Sequence, residues 1–215
     1  NLATQTERHG NTGNKNFGYH SGGYDNSGYT SNVERTTYSN DTATGSPKGP
    51  LTSTNAQFGA TGNQTGGYVM GGDRSGYTST IEKIDYSNDT ATATAKGNLD
   101  RNVYSNFATS GQINGFEAIA APVQPPFPYP VQLPAPPGPA PAYGYYASGR
   151  ENGSPSPTTT KIDRIDFSND TATTVLKGNM HTGRNRHTSF ANQTHGYTGG
   201  GSNPSASPAY LSSIE

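Results

Sequence analysis

Ile84-Asp85-Tyr86-Ser87-Asn88-Asp89-Thr90-Ala91-Thr92-Ala93-Thr94-Ala95-Lys96-Gly97 is the stretch whose reading decides the fold, because the chain repeats it. It returns as Ile165-Asp166-Phe167-Ser168-Asn169-Asp170-Thr171-Ala172-Thr173, followed by Lys177-Gly178. A worn copy runs from Tyr38-Ser39-Asn40-Asp41-Thr42-Ala43-Thr44 to Lys48-Gly49. Asp41 and Asp89 are 48 residues apart, and Asp89 and Asp170 are 81 apart. The second gap is one more period plus an insertion of about 33 residues. A period near 50 with Gly-Gly in each unit is the signature of propeller blades.

Residues 56 to 97 hold the cleanest unit. Four extended segments are predicted: Ala56 to Thr61, Gly67 to Met70, Thr78 to Tyr86, and Thr90 to Lys96, the last ended by Gly97. Ile84 and Tyr86 alternate with Lys83 and Asp85, and threonines alternate with alanines from Thr90 onward. Period two means strands, and threonine at this density with bracketing glycines disfavours helices. Ser87-Asn88-Asp89 supplies the turn between the last two strands. A Gly-Gly pair, expected at positive φ or a close backbone approach, occurs at Gly22-Gly23, Gly71-Gly72 and Gly199-Gly200. Each follows a Gly-Tyr. In the third unit Gly144-Tyr145-Tyr146-Ala147-Ser148-Gly149 takes that role, with Gly115-Phe116-Glu117-Ala118 as a rival.

The fold expected is therefore all-β: about four units of about 48 residues, each with four short antiparallel strands. The units are 1–49, 50–97, 98–178 with a proline-rich insertion at about 112–143, and an incomplete fourth at 179–215. Asn1-Leu2 aligns with Asn98-Leu99, and Ile214-Glu215 with Ile81-Glu82. That register predicts a portion cut from a larger propeller.

Gly-Tyr-x-x-Gly-Gly, a polar loop, and a strand ending in hydrophobic-acid-Tyr before a turn resemble the kelch repeat. The usual tryptophan is missing, since the chain has none. The wording looks like a divergent kelch-type repeat of virion structural and tail-fibre-like proteins of tailed phages of marine bacteria, cyanophages included. That resemblance implies a non-enzymatic structural or adhesion protein, in the virion or extracellular. Its partners would be other virion subunits and a host surface glycan, in an oligomeric assembly. Two rival readings stay open: a secreted or cell-surface propeller binding glycans or proteins, and a galactose-oxidase-like or glycosidase propeller enzyme.

Composition narrows the field. Leu, Ile, Val and Phe total only 26 of 215 residues, but net charge is -1 and 14 tyrosines supply bulk, so a packed chain is expected over a disordered one. Charge balance, 14 basic against 15 acidic residues, gives no nucleic-acid footprint. No apolar run is long enough to span a membrane, and the lack of cysteine excludes disulfides and thiolate metal sites.

Candidate sites are few. Ten prolines lie between Pro122 and Pro141, interleaved with Val123, Phe127, Tyr129, Val131 and Leu133. This reads as a surface loop, with Phe127, Tyr129, Val131 and Leu133 as a contact arm in the sharper reading. The loops after Gly-Gly offer Tyr24, Asn26 and Tyr29 in the first unit and Asp73, Arg74 and Tyr77 in the second. Aromatic faces and amides suit sugars. His9, His20, His181, His187 and His195 read as scattered surface histidines. Glu82, Asp85, Asp163 and Asp166 recur at equivalent places, which argues for structural pairing with Lys83, Arg164 or Arg35 over a catalytic role. No catalytic residue, metal site or cofactor is called for.

Overall fold

The computed structural model describes residues 1–110, 143–152, 157–191, 195–205 and 209–215. Sheet 1 is built from β1 (Gly10–Gly13), β2 (Phe17–Ser21), β5 (Val33–Thr37) and β6 (Ser46–Pro47), with a small hairpin of β3 (Tyr24–Asp25) and β4 (Gly28–Tyr29) inserted after β2. Sheet 2 holds β7 (Gly59–Gly62), β8 (Gly66–Met70), β9 (Thr78–Asp85) and β10 (Thr94–Tyr104). Sheet 3 holds β11 (Phe107–Ser110), β12 (Tyr143–Ala147), β14 (Lys161–Asp166) and β15 (Val175–Asn179); β13 (Arg150–Glu151) pairs instead with β10. A fourth sheet pairs β16 (Thr188–Ala191) with β17 (Gly196–Gly199). Every ladder is antiparallel. The first strands of the four sheets, β1, β7, β11 and β16, touch in succession. The fold is all-β and propeller-like.

The core lies between sheets. Tyr19, Val33, Leu51, Phe58, Val69, Ile84 and Ala93 fill the space between sheets 1 and 2. Tyr68, Met70, Ile81, Leu99, Val103, Tyr146, Ile165 and Phe167 fill the next. Tyr68 and Val69 are neighbours in β8 and serve opposite layers, as the pleat requires.

The repeated phrase makes a different structure from the one its alternation predicts. Thr90 to Ala93 are turn, not strand, and β10 begins at Thr94. Asp85 accepts from the backbone N–H and hydroxyl of Ser87, at 2.9 and 2.7 Å, and closes a single 3-10 turn over Tyr86–Asn88. Asp166 does the same for Ser168. Local side-chain bonds of this kind compete with a ladder and win here. Gly97 does not end the strand either: β10 runs through it to Tyr104. Its lack of a side chain serves contact, since a Cβ would lie 1.9 Å from the Ala172 carbonyl oxygen.

The glycine pairs sit at positive φ: Gly22 and Gly23 at 57° and 107°, Gly71 and Gly72 at 66° and 108°. Ser148 and Gly149, at 60° and 108°, take the place in the third sheet. In the fourth the pair is Gly200 and Gly201, at 67° and 92°, one residue later than the spacing suggests.

The basic residues pair with the turn aspartates of the next sheet. Asp89 accepts from Tyr19 Oη (2.8 Å), Arg35 Nη1 (2.8 Å) and Lys48 Nζ (3.3 Å), all in sheet 1. Burial pushes the Asp89 carboxyl up, but Tyr19, Lys48 and Arg35 outweigh it and hold it below the usual range. Asp170 meets Tyr68 Oη at 2.8 Å, Lys96 at 3.3 Å and Lys83 at 3.9 Å. The third-strand acids bind elsewhere. Glu34 accepts from the Ala3 and Thr4 backbone N–H groups, Glu82 from Thr52 and Arg74, Asp163 from Arg101, and Glu215 from Arg184. The expected pairing of Glu82 and Asp163 with Lys83, Arg164 or Arg35 is thus corrected. Each acid ties its own strand to the segment that enters the inner strand of its sheet.

Candidate functional site

Four residues that precede the inner strands share an unusual backbone. Arg8, Gln57, Ser105 and Arg186 have φ of 58°, 55°, 52° and 52°. None is glycine, and a side chain in this region costs about 1–2 kcal/mol. A chain of hydrogen bonds holds them there. The Gln57 N–H donates to the Arg8 carbonyl at 3.0 Å, Ser105 N–H to the Gln57 carbonyl at 2.7 Å, and Arg186 N–H to the Ser105 carbonyl at 3.4 Å. One residue per sheet is therefore locked to the next across every junction.

The residue that follows each leans on the strand before it. A Cβ on Gly10 would lie 2.2 Å from the Phe58 ring, and one on Gly59 would lie 2.9 Å from Asn106 Nδ2. His187 stands against the Phe107 ring, with centroids 5.0 Å apart. Asn106 donates to the Met70 carbonyl at 3.0 Å, while its own buried Oδ1 has no partner among the described residues.

These residues enclose a cavity of about 390 Å³. Arg8, Gln57, Ser105 and Arg186 line it from the four turns; His9, Phe58, Asn106 and Phe107 complete the wall. Arg8 and Arg186 are exposed, so two guanidinium groups serve the opening. Arg8 also meets Glu7 at 3.2 Å at the surface. The described lining has no carboxylate. His9 carries a buried Nδ1 without a partner among the described residues, and its ring meets His20 edge-on at 5.8 Å. Burial, then His9, lower the His20 pKa. Such a cavity suits a polar, negatively charged ligand with an apolar face.

The loop residues singled out from the sequence fall beside this cavity in part. Tyr24 pairs its backbone with Glu7, next to Arg8, and Asp73 with Ala56, next to Gln57. Tyr24 and Tyr29 meet edge-on at 5.3 Å, and Tyr29 Oη donates to Asp73 at 2.8 Å. Tyr24, Tyr29 and Asp73 are thus one cluster, and Asn26 is exposed at the tip of its hairpin. Arg74 turns inward to Glu82 at 2.8 Å, and Tyr77 stacks on Tyr104 at 4.1 Å. Phe127, Tyr129, Val131 and Leu133 lie outside the described residues. His187 is not a surface histidine: it is buried, and burial, then Arg184, push its pKa down to about 4. Nothing in the residue types of Arg8, Gln57, Ser105 and Arg186 shows their shared role. Their positions, 49, 48 and 81 residues apart, follow the repeat and could have found them.

The fold and its inner cavity define an all-β, propeller-like protein. Over 99% of its length the chain superposes on the solved structure of YjhT, with a TM-score of 0.70 and 11% identity. It spans 66% of that chain. No protein-family model and no curated protein matches. The virion reading is corrected by this result. The structural match reported is to YjhT, and it carries the propeller-like fold. The non-enzymatic assignment, the attachment role and fellow virion subunits as partners fall with the virion reading. Among the described residues no helix is long and apolar enough to cross a membrane.

Proposed function

We propose that the chain is the sugar-holding part of a propeller enzyme that acts on glycosides carrying an acidic group. The observation that carries this is the cavity at the four inner turns, with Arg8 and Arg186 at its opening and Phe58 and Phe107 in its wall. Guanidinium groups bind a carboxylate through paired N–H donors, and aromatic rings cover the apolar face of a sugar. Gln57, Ser105 and Asn106 supply donors and acceptors for hydroxyls. His9 is the imidazole in this wall and takes the proton-transfer role. Tyr24, Tyr29 and Asp73 form the rim that meets the rest of a longer saccharide.

The same reading takes the sheets as kelch-type blades covering 1–49, 50–97, 98–178 and 179–215, within a larger propeller. The 48-residue period and the match to two thirds of a larger chain support it.

The test is a panel of chromogenic glycosides, neutral and uronic-acid-bearing. Turnover is expected for an acidic member. The Arg8→Ala/Arg186→Ala double variant should lower kcat/KM on it about 100-fold, or about 3 kcal/mol, with an unchanged Tm. His9→Ala should lower kcat with KM little altered. Absence of both turnover and binding across the acidic panel would sink the proposal.

A further inference from the structure

A second set of contacts repeats beside the cavity. The residue directly after each positive-φ pair is Tyr24, Asp73, Arg150 or Ser202. Each pairs its backbone with the residue directly before an inner turn: Tyr24 with Glu7, Asp73 with Ala56, Arg150 with Tyr104, and Ser202 with Asn185. These four pairings set the loops after the positive-φ pairs next to Arg8, Gln57, Ser105 and Arg186, which line the cavity.

The side chains of three of these loops form one continuous arc. Tyr24 meets Tyr29 edge-on at 5.3 Å, and Tyr29 Oη donates to Asp73 at 2.8 Å. Asp73 pairs its backbone with Tyr77, Tyr77 stacks on Tyr104 at 4.1 Å, and Arg150 Nη1 donates to the Tyr104 hydroxyl at 3.1 Å. The arc thus runs from the hairpin of sheet 1, across sheet 2, to the loop after β12 in sheet 3. Its loops are held in shape beforehand. The Asp25 carboxylate accepts from the Ser27 N–H at 2.7 Å, and Asp73 Oδ1 accepts from the Gly76 N–H at 2.9 Å. Little ordering entropy is lost when a ligand meets such a surface.

These tyrosines have no part in the core. Tyr86 on Tyr19 and Phe167 on Tyr68, each stacked at 4.6 Å, fill the layers between sheets. Tyr24, Tyr29, Tyr77 and Tyr104 stand outside both layers, and none of them is buried. A surface tyrosine offers a sugar unit a ring for its C–H face and an oxygen for its hydroxyls. Arg150 adds a guanidinium at the end of the arc away from Tyr24, outside the cavity lining. Both carboxylate oxygens of Asp73 already accept hydrogen bonds, from Tyr29 and Gly76, which lessens its repulsion of an anionic chain.

We propose that this arc is a chain-binding track, so that the substrate is a polymer of carboxylated sugars and not a single acidic glycoside. The inference rests on the sugar-holding reading of the cavity. One unit sits in the cavity with its carboxylate at Arg8 and Arg186. Neighbouring units lie on Tyr24, Tyr29, Tyr77 and Tyr104, and a further carboxylate meets Arg150. Two separate cationic points fit acid groups on more than one unit, which a glycan with a single terminal acid does not carry.

The probe is a series of oligogalacturonides, from galacturonic acid itself to the hexasaccharide, titrated calorimetrically into the 215-residue chain. Affinity is expected to rise about 100-fold along the series. Tyr77→Ala should weaken hexasaccharide binding about tenfold and Arg150→Ala about fivefold, with the single sugar acid bound as before. Tyr24 is 41% exposed, so Tyr24→Ala should keep the parent Tm, and it should weaken the hexasaccharide alone by about threefold. Affinity that is flat with length, a rise that survives all three substitutions, or equal binding of a neutral hexasaccharide overturns the proposal. The two readings separate in the same experiment. A flat series beside a cavity that binds the single sugar acid sinks only the track. Binding that begins at longer chains and depends on Tyr77 upholds the track even where the single sugar acid is not held.

Discussion

The outer turns and the inner turns obey opposite rules. Around Asp41, Asp89 and Asp170 the wording Ser-Asn-Asp-Thr-Ala-Thr is kept in each copy. At Arg8, Gln57, Ser105 and Arg186 the backbone angle is kept to within a few degrees while the side chain changes every time. At Asp89 and Asp170 the first region is constrained by side chains, since each carboxylate meets a tyrosine hydroxyl and two cations. The second is constrained by main chain: each N–H must reach the preceding carbonyl, and the side chain is free to face the cavity. A propeller-like fold thus keeps its joints uniform and its centre varied.

The largest expected effect breaks the uniform side. Asp89→Ala should destabilise the chain by about 3–5 kcal/mol, because Arg35 and Lys48 lose the carboxylate that compensates their partial burial. Denaturant midpoints would read this directly, and a loss below about 1 kcal/mol would mean that the joint is held by stacking alone. Since the Asp89 pKa is depressed, its contribution is present above the ordinary carboxylate range and fades as pH falls through that range and below.

A second effect sets the two regions against each other. His187, with its pKa near 4, is stabilising as neutral imidazole above about pH 6.5 and loses about 3 kcal/mol as pH drops toward 4. Asp163 has its carboxyl pushed up to about 6 by burial, with Arg101 opposing. Its contribution is whole below about pH 4 and is lost, by a similar amount, as pH rises through 6. The His187 and Asp163 contributions should therefore largely cancel between pH 4 and 6. Asp163→Asn should unmask stability rising with pH, and His187→Phe stability falling with pH. Parallel slopes in the two variants would contradict the assignment.

The smallest effect sharpens the varied side. Gln57→Gly should raise stability by no more than about 1 kcal/mol, since it relieves a left-handed backbone while loosening the unfolded chain. A loss of several kcal/mol would show that the Gln57 side chain, not its main chain, holds the chain of hydrogen bonds.

Much of this was legible in the residues, and the part that was not has a physical reason. The period of Asp41, Asp89 and Asp170 gave strand number and turn position, because turn chemistry is local. It misjudged Thr90 to Ala93, where alternation mimics a strand but Asp85 and Ser87 close a turn first. Arg35 and Lys83 were recognisable as pairing residues, yet their partners lie in the next sheet, 54 residues from Arg35 in the case of Asp89. The cavity stayed hidden because Arg8, Gln57, Ser105 and Arg186 share a φ angle and a place in the repeat, not one residue type. His187 was misplaced since nothing in Arg186-His187-Thr188 shows which way the turn faces.

The bare α-carbons of Gly49 and Gly97, pressed against the Ala91 and Ala172 carbonyls, settle one more matter. Main chain touches main chain there, so the pitch of the array is gauged by atoms that every amino acid possesses. These contacts act beside the aliphatic and aromatic filling between the layers. A chain this lean in leucine and isoleucine can still stack with a regular step.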